Sequence, residues 1–225
     1  MENPVFKYFP ELTGDRRDKI EKLYSVYADW NSRINLISRK DMENLYLHHV
    51  LHSLSIAKFI SFKNEEEVID AGTGGGFPGI PLAIFFPNNH FTLIDSVGKK
   101  IKAAEEIAES LELDNISIYH GRIEEAPVES DYIVSRAVAD LSVFLKWVKG
   151  KYNKGVIYLK GGDITPGEDI SHRGALLQEI YTAAKRNGIN REFISIKNLS
   201  EWFEEEYFVE KRLVFIPKTR NFQNL

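Results

Sequence analysis

Between Val68 and Ile84 the chain reads VIDAGTGGGFPGIPLAI, with five glycines and two prolines set between an apolar strand-like run and an apolar helix-like run. Glycine adopts positive φ and lets a ligand touch bare backbone. Gly72, Gly74, Gly75 and Gly76 are therefore expected to form a loop that offers amide N–H groups to a ligand at the start of a helix. A second signal stands about twenty residues further on, where TLIDS ends in Asp95, a carboxylate able to take both hydroxyls of an adenosine ribose. Strand, glycine loop, helix, strand and acid together point to an adenosine-containing cofactor. A tight turn that binds nothing is the plain alternative, but it would not need so many glycines at once. The run from Gly74 to Gly79 satisfies GxGxxG literally, which alone is weak. No Lys-Ser/Thr follows, so this is not a Walker A loop.

NAD and S-adenosylmethionine (SAM) both fit such a constellation. NAD brings a pyrophosphate that must rest on helix amides, whereas SAM brings a carboxylate and a sulfonium cation. Asp70, just before the glycines, is poorly placed beside a pyrophosphate and well placed beside a cationic or amino-bearing methionine tail. Charge favours SAM.

The elements that must position these residues follow from periodicity. Ile20, Leu23, Tyr24, Tyr27 and Trp30 recur at helical spacing between residues 15 and 30, and they read as core rather than as stacking surface. A second helix is expected from about 41 to 60. After the polar break SFKNEEE, short β-rich runs (EVIDAG, HFTLIDS, ISIYHGRI, YIVSRAV, GVIYLKGG) alternate with helices near 80–86, 99–111 and 141–149. That alternation builds right-handed βαβ units and a parallel sheet covered by helices. Past a Gly/Pro-rich loop, a helix is expected near 174–186, then EFISIKNL and KRLVFIPK pair antiparallel at a sheet edge across the acidic connector SEWFEEEYFVE. The expected fold is α/β and Rossmann-like, with an N-terminal helical segment at 1–62 and the cofactor domain at 63–225.

Composition removes several chemistries. Cysteine is absent, which excludes disulfides, thiolate catalysis and cysteine-ligated metal. No apolar stretch approaches the roughly 20 residues of a membrane span, and MENPVFKYFPEL has neither the basic flank nor the apolar centre of a secretion signal. A cytoplasmic address fits. The formal charge of −4 argues against a nucleic-acid partner on its face, yet cations cluster at RINLISRK, GKKIK, KWVKGKYNK and EKRLVFIPKTR, so a basic face on an acidic body is open. His48, His49 and His52 share one helix, two of them four apart, but without cysteine, an HExxH glutamate or an obvious third ligand they are expected to face the cofactor domain and not to bind metal.

Taken in order, WNSRINLIS, DAGTGGGFPGIPLAI, LIDSVGKKI, GRIEE, VSRAVA and LKGG resemble the bacterial GidB family, also called RsmG. Its members are class I SAM-dependent methyltransferases acting on N7 of a guanine in 16S ribosomal RNA. The resemblance implies that Gly72, Gly74, Gly76 and Phe77 line the SAM loop and that Asp95 takes the ribose. It further implies that Ile123 and Glu124 flank the adenine and that Arg136 is the catalytic residue, completing the cofactor pocket near the transferred methyl. Where the family usually has H-x-x-D-S, this chain has His49-Val50-Leu51-His52-Ser53, a histidine in place of the acid.

Guanine N7 carries an in-plane lone pair and is unprotonated at neutral pH, so such a transfer needs alignment and no general base. Arg136 closes the fourth strand, at the edge where open α/β sheets bind ligands. A bidentate grip on guanine O6 and N7 would block the reacting atom, so Arg136 is expected to contact O6 alone, a phosphate or the cofactor carboxylate. RNA contacts are expected from Arg33, Arg39, Lys40, Lys99, Lys100 and Lys160. The expected partner is small-subunit ribosomal RNA, with no membrane, no metal and no second copy of the chain. Two rivals stand: an NAD-dependent oxidoreductase, and a non-catalytic RNA-binding assembly protein on the same fold.

Overall fold

The computed structural model describes residues 3–167 and 172–218. Its centre is a seven-stranded sheet made of β1 (Glu67–Ala71), β2 (His90–Asp95), β3 (Ile116–His120), β4 (Ser130–Arg136), β5 (Tyr152–Gly161), β6 (Ser195–Asn198) and β7 (Lys211–Pro217), in the order β3-β2-β1-β4-β5-β7-β6. The first five strands run parallel, with helices crossing between β1 and β2, β2 and β3, and β4 and β5, and a non-helical connection from β3 to β4. Strand order reverses between β1 and β4, so the carboxyl ends of these two strands open the crevice where such sheets take ligands.

At the far end the expected antiparallel pair is present, but not as an isolated edge hairpin. β7 lies between β5 and β6, pairing with β5 from Gly155↔Pro217 to Gly161↔Lys211, and β6 forms the edge. The apolar alternation of β7, with Leu213, Val214 and Ile216 all buried, needs cover on both faces, which an inner position supplies. The acidic connector buries Phe203 and Phe208 and exposes its carboxylates, except Glu205, which is half-buried and accepts from the Tyr8 hydroxyl.

One face of the sheet carries the N-terminal helices α1 (Pro4–Tyr8) and α2 (Gly14–Arg33) together with α3 (His52–Phe59), α4 (Gly79–Phe85) and α5 (Gly98–Ser110). The other carries α6 (Leu141–Trp147) and α7 (Ala175–Arg186). Phe9, Leu23 and Tyr27 of the N-terminal segment join Ile80, Phe91 and Ile101 in one buried cluster. Each such side chain contributes about 1.5–3 kcal/mol of burial. Tyr24, expected in the core, is instead 43% exposed, because the buried stripe of α2 runs through Ile20, Leu23 and Tyr27.

The helix expected near 41–60 is broken into three geometries: a 3-10 turn at Arg39–Asn44, a π-helix at Leu45–Leu51, and then α3. A π turn changes which side chains share a face and recurs at functional sites. Here it carries His48 and His49.

Candidate functional site

The glycine loop joins β1 to α4. Gly72 has φ +73°, and a Cβ there would stand 2.3 Å from Cγ1 of Val138. Gly76 has φ +101°, and a Cβ would meet Ile80 at 2.4 Å and the Tyr27 hydroxyl at 3.0 Å. Both positions thus require glycine for backbone conformation and for close approach.

The loop does not present its amides as expected. Gly72 and Thr73 N–H donate to the Ile94 carbonyl, Gly74 N–H to Asp95 Oδ2, Gly76 and Phe77 N–H to the Thr73 carbonyl, and Gly79 N–H to Asp70 Oδ2. Among these described amides only that of Gly75 is left without an acceptor. A loop so self-satisfied has no cradle for a pyrophosphate.

Asp70 also departs from expectation. It has no accessible surface, and its Oδ2 ties the loop from below by accepting from the Thr73 hydroxyl at 2.6 Å and the Gly79 amide at 2.7 Å. Oδ1 is buried without a partner. Burial pushes the carboxyl up to about 7, against the opposing pull of its Thr73 and Gly79 hydrogen bonds. The residue shapes the loop and does not reach a ligand in the cleft.

Asp95 stands where the sequence places it. Its Oδ2 accepts from Gly74 N–H and its Oδ1 from Val97 N–H, both at 2.8 Å, which fixes the carboxylate while each oxygen keeps a further lone pair. It lies at the junction of two clefts that also share Gly72 and Val138. One cleft, about 210 Å3, runs between Ile123, Glu124, Phe144 and Trp147. The other, about 280 Å3, runs along Gly74, Gly75 and Phe77 to Lys100, His49 and Arg136. Together they form one bent trough over the end of β1.

Arg136 ends β4 with its guanidinium 5.3 Å from the centre of the Phe77 ring. It donates from Nη1 to the His48 carbonyl at 3.2 Å and from Nη2 to His49 Nδ1 at 3.0 Å. A guanidinium only donates, so His49 Nδ1 accepts and its proton sits on Nε2, which donates to Asp41 Oδ2 at 2.6 Å. Burial, reinforced by the Arg136 charge, lowers His49 to about 4, so this tautomer holds at neutral pH. Burial alone would raise Asp41, but hydrogen bonds from His48 and His49 hold its carboxyl below the ordinary value. The chain Asp41–His49–Arg136 was not foreseen from the sequence. The histidine spacing was its one visible trace.

A family model described as GidB, rRNA small subunit methyltransferase G, matches residues 16–173. The chain belongs to the GidB family. Ribosomal RNA small subunit methyltransferase G of Christiangramia forsetii is 46% identical over 219 residues, covering 94% of each chain. That of Bacteroides thetaiotaomicron is 45% identical over 211 residues, covering 94% of this chain and 97% of its own. Among solved structures, magnesium protoporphyrin IX methyltransferase from Synechocystis PCC 6803 with bound SAH superposes with a TM-score of 0.60 at 15% identity, over 92% of this chain and all of that one. A SAM dependent methyltransferase from Aquifex aeolicus gives 0.51 at 15% identity, over 74% and 89%. The fold is that of the class I SAM-dependent methyltransferases.

The cations expected on the RNA side of this GidB chain divide into groups. Lys100 lines the trough itself. Arg33 and Arg39 flank an open groove of about 400 Å3 along residues 31–39, beside the Leu36 and Ile37 that wall the trough. Arg33 also pairs with Asp29 at 2.8 Å on the surface, and Lys40 and Lys99 are exposed. Lys160 differs from expectation, since its ammonium is taken by Glu179 of α7, which also accepts from the Leu141 amide at 2.7 Å. Arg220, the last cation of the C-terminal cluster, lies outside the described residues.

His52, the departure from the usual family motif, is buried against Tyr207 and Phe208. The Tyr207 hydroxyl donates to the His48 carbonyl, so His52 Nδ1–H donates to Tyr207 at 3.1 Å and Nε2 is left without a partner. Burial holds this imidazole well below its ordinary pKa and therefore neutral. Among the described residues no group of three or more His, Cys, Asp or Glu could hold a metal ion.

Proposed function

We propose that this protein transfers a methyl group from SAM to N7 of a guanine in 16S ribosomal RNA of the small subunit. The observation that carries this reading is the bent trough. Asp95 stands at its elbow, an apolar wall at one end and Arg136 over Phe77 at the other. Membership of a family described as rRNA small subunit methyltransferase G supports the RNA substrate.

The residues present fit SAM. Asp95 would take the ribose hydroxyls on its two pre-fixed oxygens, Ile123 and Glu124 would flank the adenine, and Gly72, Gly74 and Phe77 would line the methionine arm, whereas Gly76 is buried against Ile80 and Tyr27 and lines neither cleft. SAM supplies an electrophilic methyl on a sulfonium sulfur. The protein's share is alignment, which can contribute roughly 7 to 11 kcal/mol. Arg136 would be the donor at the methyl end, its Nη1 and Nη2 engaged by His48 and His49, and would contact guanine O6, a phosphate or a carboxylate and leave N7 open. No proton has to leave N7, and no base is assigned.

The rivals are not favoured. A dinucleotide would need the loop amides that the loop itself consumes, and a scaffold would not need the donor that Asp41 and His49 hold at the trough. We place the reaction in the cytoplasm, with the chain acting as a monomer on ribosomal RNA. Tritiated methyl incorporation into 16S RNA, with the product nucleoside identified by mass spectrometry, tests the assignment. Calorimetric titration should show SAM binding and no NAD binding. The reading is lost if purified protein with SAM leaves 16S RNA unlabelled.

A further inference from the structure

A further groove lies away from the trough and shares no residue with it. It is an open cleft of about 760 Å3 on the outer side of α7, lined among others by Arg173, Tyr181, Lys185, Arg186, Ile189 and Arg191. Four of these are cations, and no carboxylate lines the groove. Among the described residues none of the four makes an ion pair, although Arg173 Nε donates to the Gly167 carbonyl at 3.2 Å. In a chain of net charge −4, four cations gathered without an ion pair among the described residues make a local reversal of sign.

Lys185 and Arg186 sit in the last turn of α7, where cations also favour the helix dipole. That accounts for neither Arg173 nor Arg191, which lie outside the helix. Both guanidiniums sit against the Tyr181 ring, at 4.9 and 5.1 Å from its centre. Phe193, in the same short turn as Arg191, is 55% exposed. Planar cations and rings beside free charge suit a strand of phosphates with unstacked bases better than they suit a carboxylate-bearing peptide. The helix itself packs on α6, whose Phe144 and Trp147 wall the trough, so a long RNA can reach both places on one molecule.

We propose that this groove is a second docking surface for the backbone of the substrate RNA, engaging phosphates through Arg173, Lys185, Arg186 and Arg191. It rests on the reading of ribosomal RNA as substrate. Its test is a salt titration of 16S RNA binding, which does not depend on turnover. Combining Lys185→Ser, Arg186→Ser and Arg191→Ser should lower the slope of log affinity against log salt by about 2 to 3. Between 50 and 200 mM salt the wild type should then lose roughly 20- to 40-fold more affinity than the variant. The charge-keeping set Lys185→Arg, Arg186→Lys and Arg191→Lys should retain the wild-type slope. Arg186→Ser alone, a lighter change, should lower it by about 0.7 to 0.9. Equal slopes in wild type and both serine variants, with unchanged SAM affinity and melting temperature, would overturn the proposal. So would a variant that binds bare RNA normally but loses methylation only on a subunit carrying its proteins, which would assign the groove to an acidic protein. Wild-type protein that binds RNA with the expected slope difference yet never methylates it would overturn the assigned reaction and leave the groove standing.

Discussion

Arg136 sits half-buried at the end of β4, its guanidinium donating to the His48 carbonyl and to His49 Nδ1. Removing it with Arg136→Ala should lower methyl transfer by about 100-fold or more, the scale seen when one preorganised donor is lost. His49 is a positioning residue by comparison, since its Nδ1 accepts from Arg136 while its Nε2–H donates to Asp41. His49→Leu removes both hydrogen bonds and leaves a charged donor short of a partner, so turnover should fall roughly ten- to hundred-fold. His49→Asn keeps an acceptor near the Nδ1 position and should recover most of kcat with little change in the KM for SAM. If leucine and asparagine variants are equally impaired, His49 matters for packing and not for aiming Arg136.

Asp70 gives a second prediction at this scale. Unfolded, its carboxyl titrates near 3.8; folded, burial holds it up to about 7. Between these values the folded protein keeps a proton that the unfolded chain has released, so rising pH destabilises the fold by up to about 1.4 kcal/mol per unit. The stability contributed by the protonated group is full below pH 4 and gone above pH 7. Asp70→Asn cannot titrate there, so its melting temperature should gain on the wild type as pH rises from 4 to 7. A constant difference across that window would mean that the buried carboxyl is already ionised at pH 4.

At the scale of elements, α2 is tied to the glycine loop by one side chain. Tyr27 donates its hydroxyl to the Gly75 carbonyl at 2.7 Å and stacks on Phe77 at 4.8 Å. Tyr27→Phe keeps the stack and strands a buried carbonyl, at a cost of about 1 to 3 kcal/mol. SAM affinity should fall with it, since Gly74, Gly75 and Phe77 all line the trough; calorimetry showing unchanged affinity would detach α2 from the site. Much of this architecture was legible in the sequence. β1 and β2 announced themselves as apolar runs ending in acids, and the glycines between them marked the loop. The amides of the loop were not legible, because whether an N–H faces a ligand or a neighbouring carbonyl depends on how the chain closes. The π turn was equally hidden, since apolar spacing cannot separate it from a regular helix over seven residues. Asp41, His49 and Arg136 meet only in three dimensions. Lys160 looked like a free cation because Glu179, its partner, comes from a helix on the opposite side of a loop.

For the whole molecule, the trough decides what form of RNA can be a substrate. Phe77, His49 and Arg136 lie at the carboxyl edge of the sheet, in a trough that Leu36 and Ile37 also line. A nitrogen lone pair has to be brought down to them in the plane of its base. In an A-form duplex, guanine N7 faces a major groove too deep and narrow for side chains to enter. The base must come from a loop, a bulge or a distorted helix, or be flipped at a cost of a few kcal/mol. A 16S fragment presenting the guanine unpaired should therefore be methylated at least tenfold faster, at equal concentration, than the same sequence annealed to a perfect complement. Annealing hides the base and leaves the phosphates in place, so the duplex should still compete for binding at low salt even though it reacts slowly. Equal rates on the two RNAs would mean that the methyl reaches N7 inside an intact helix, and would overturn the requirement for an unpaired guanine.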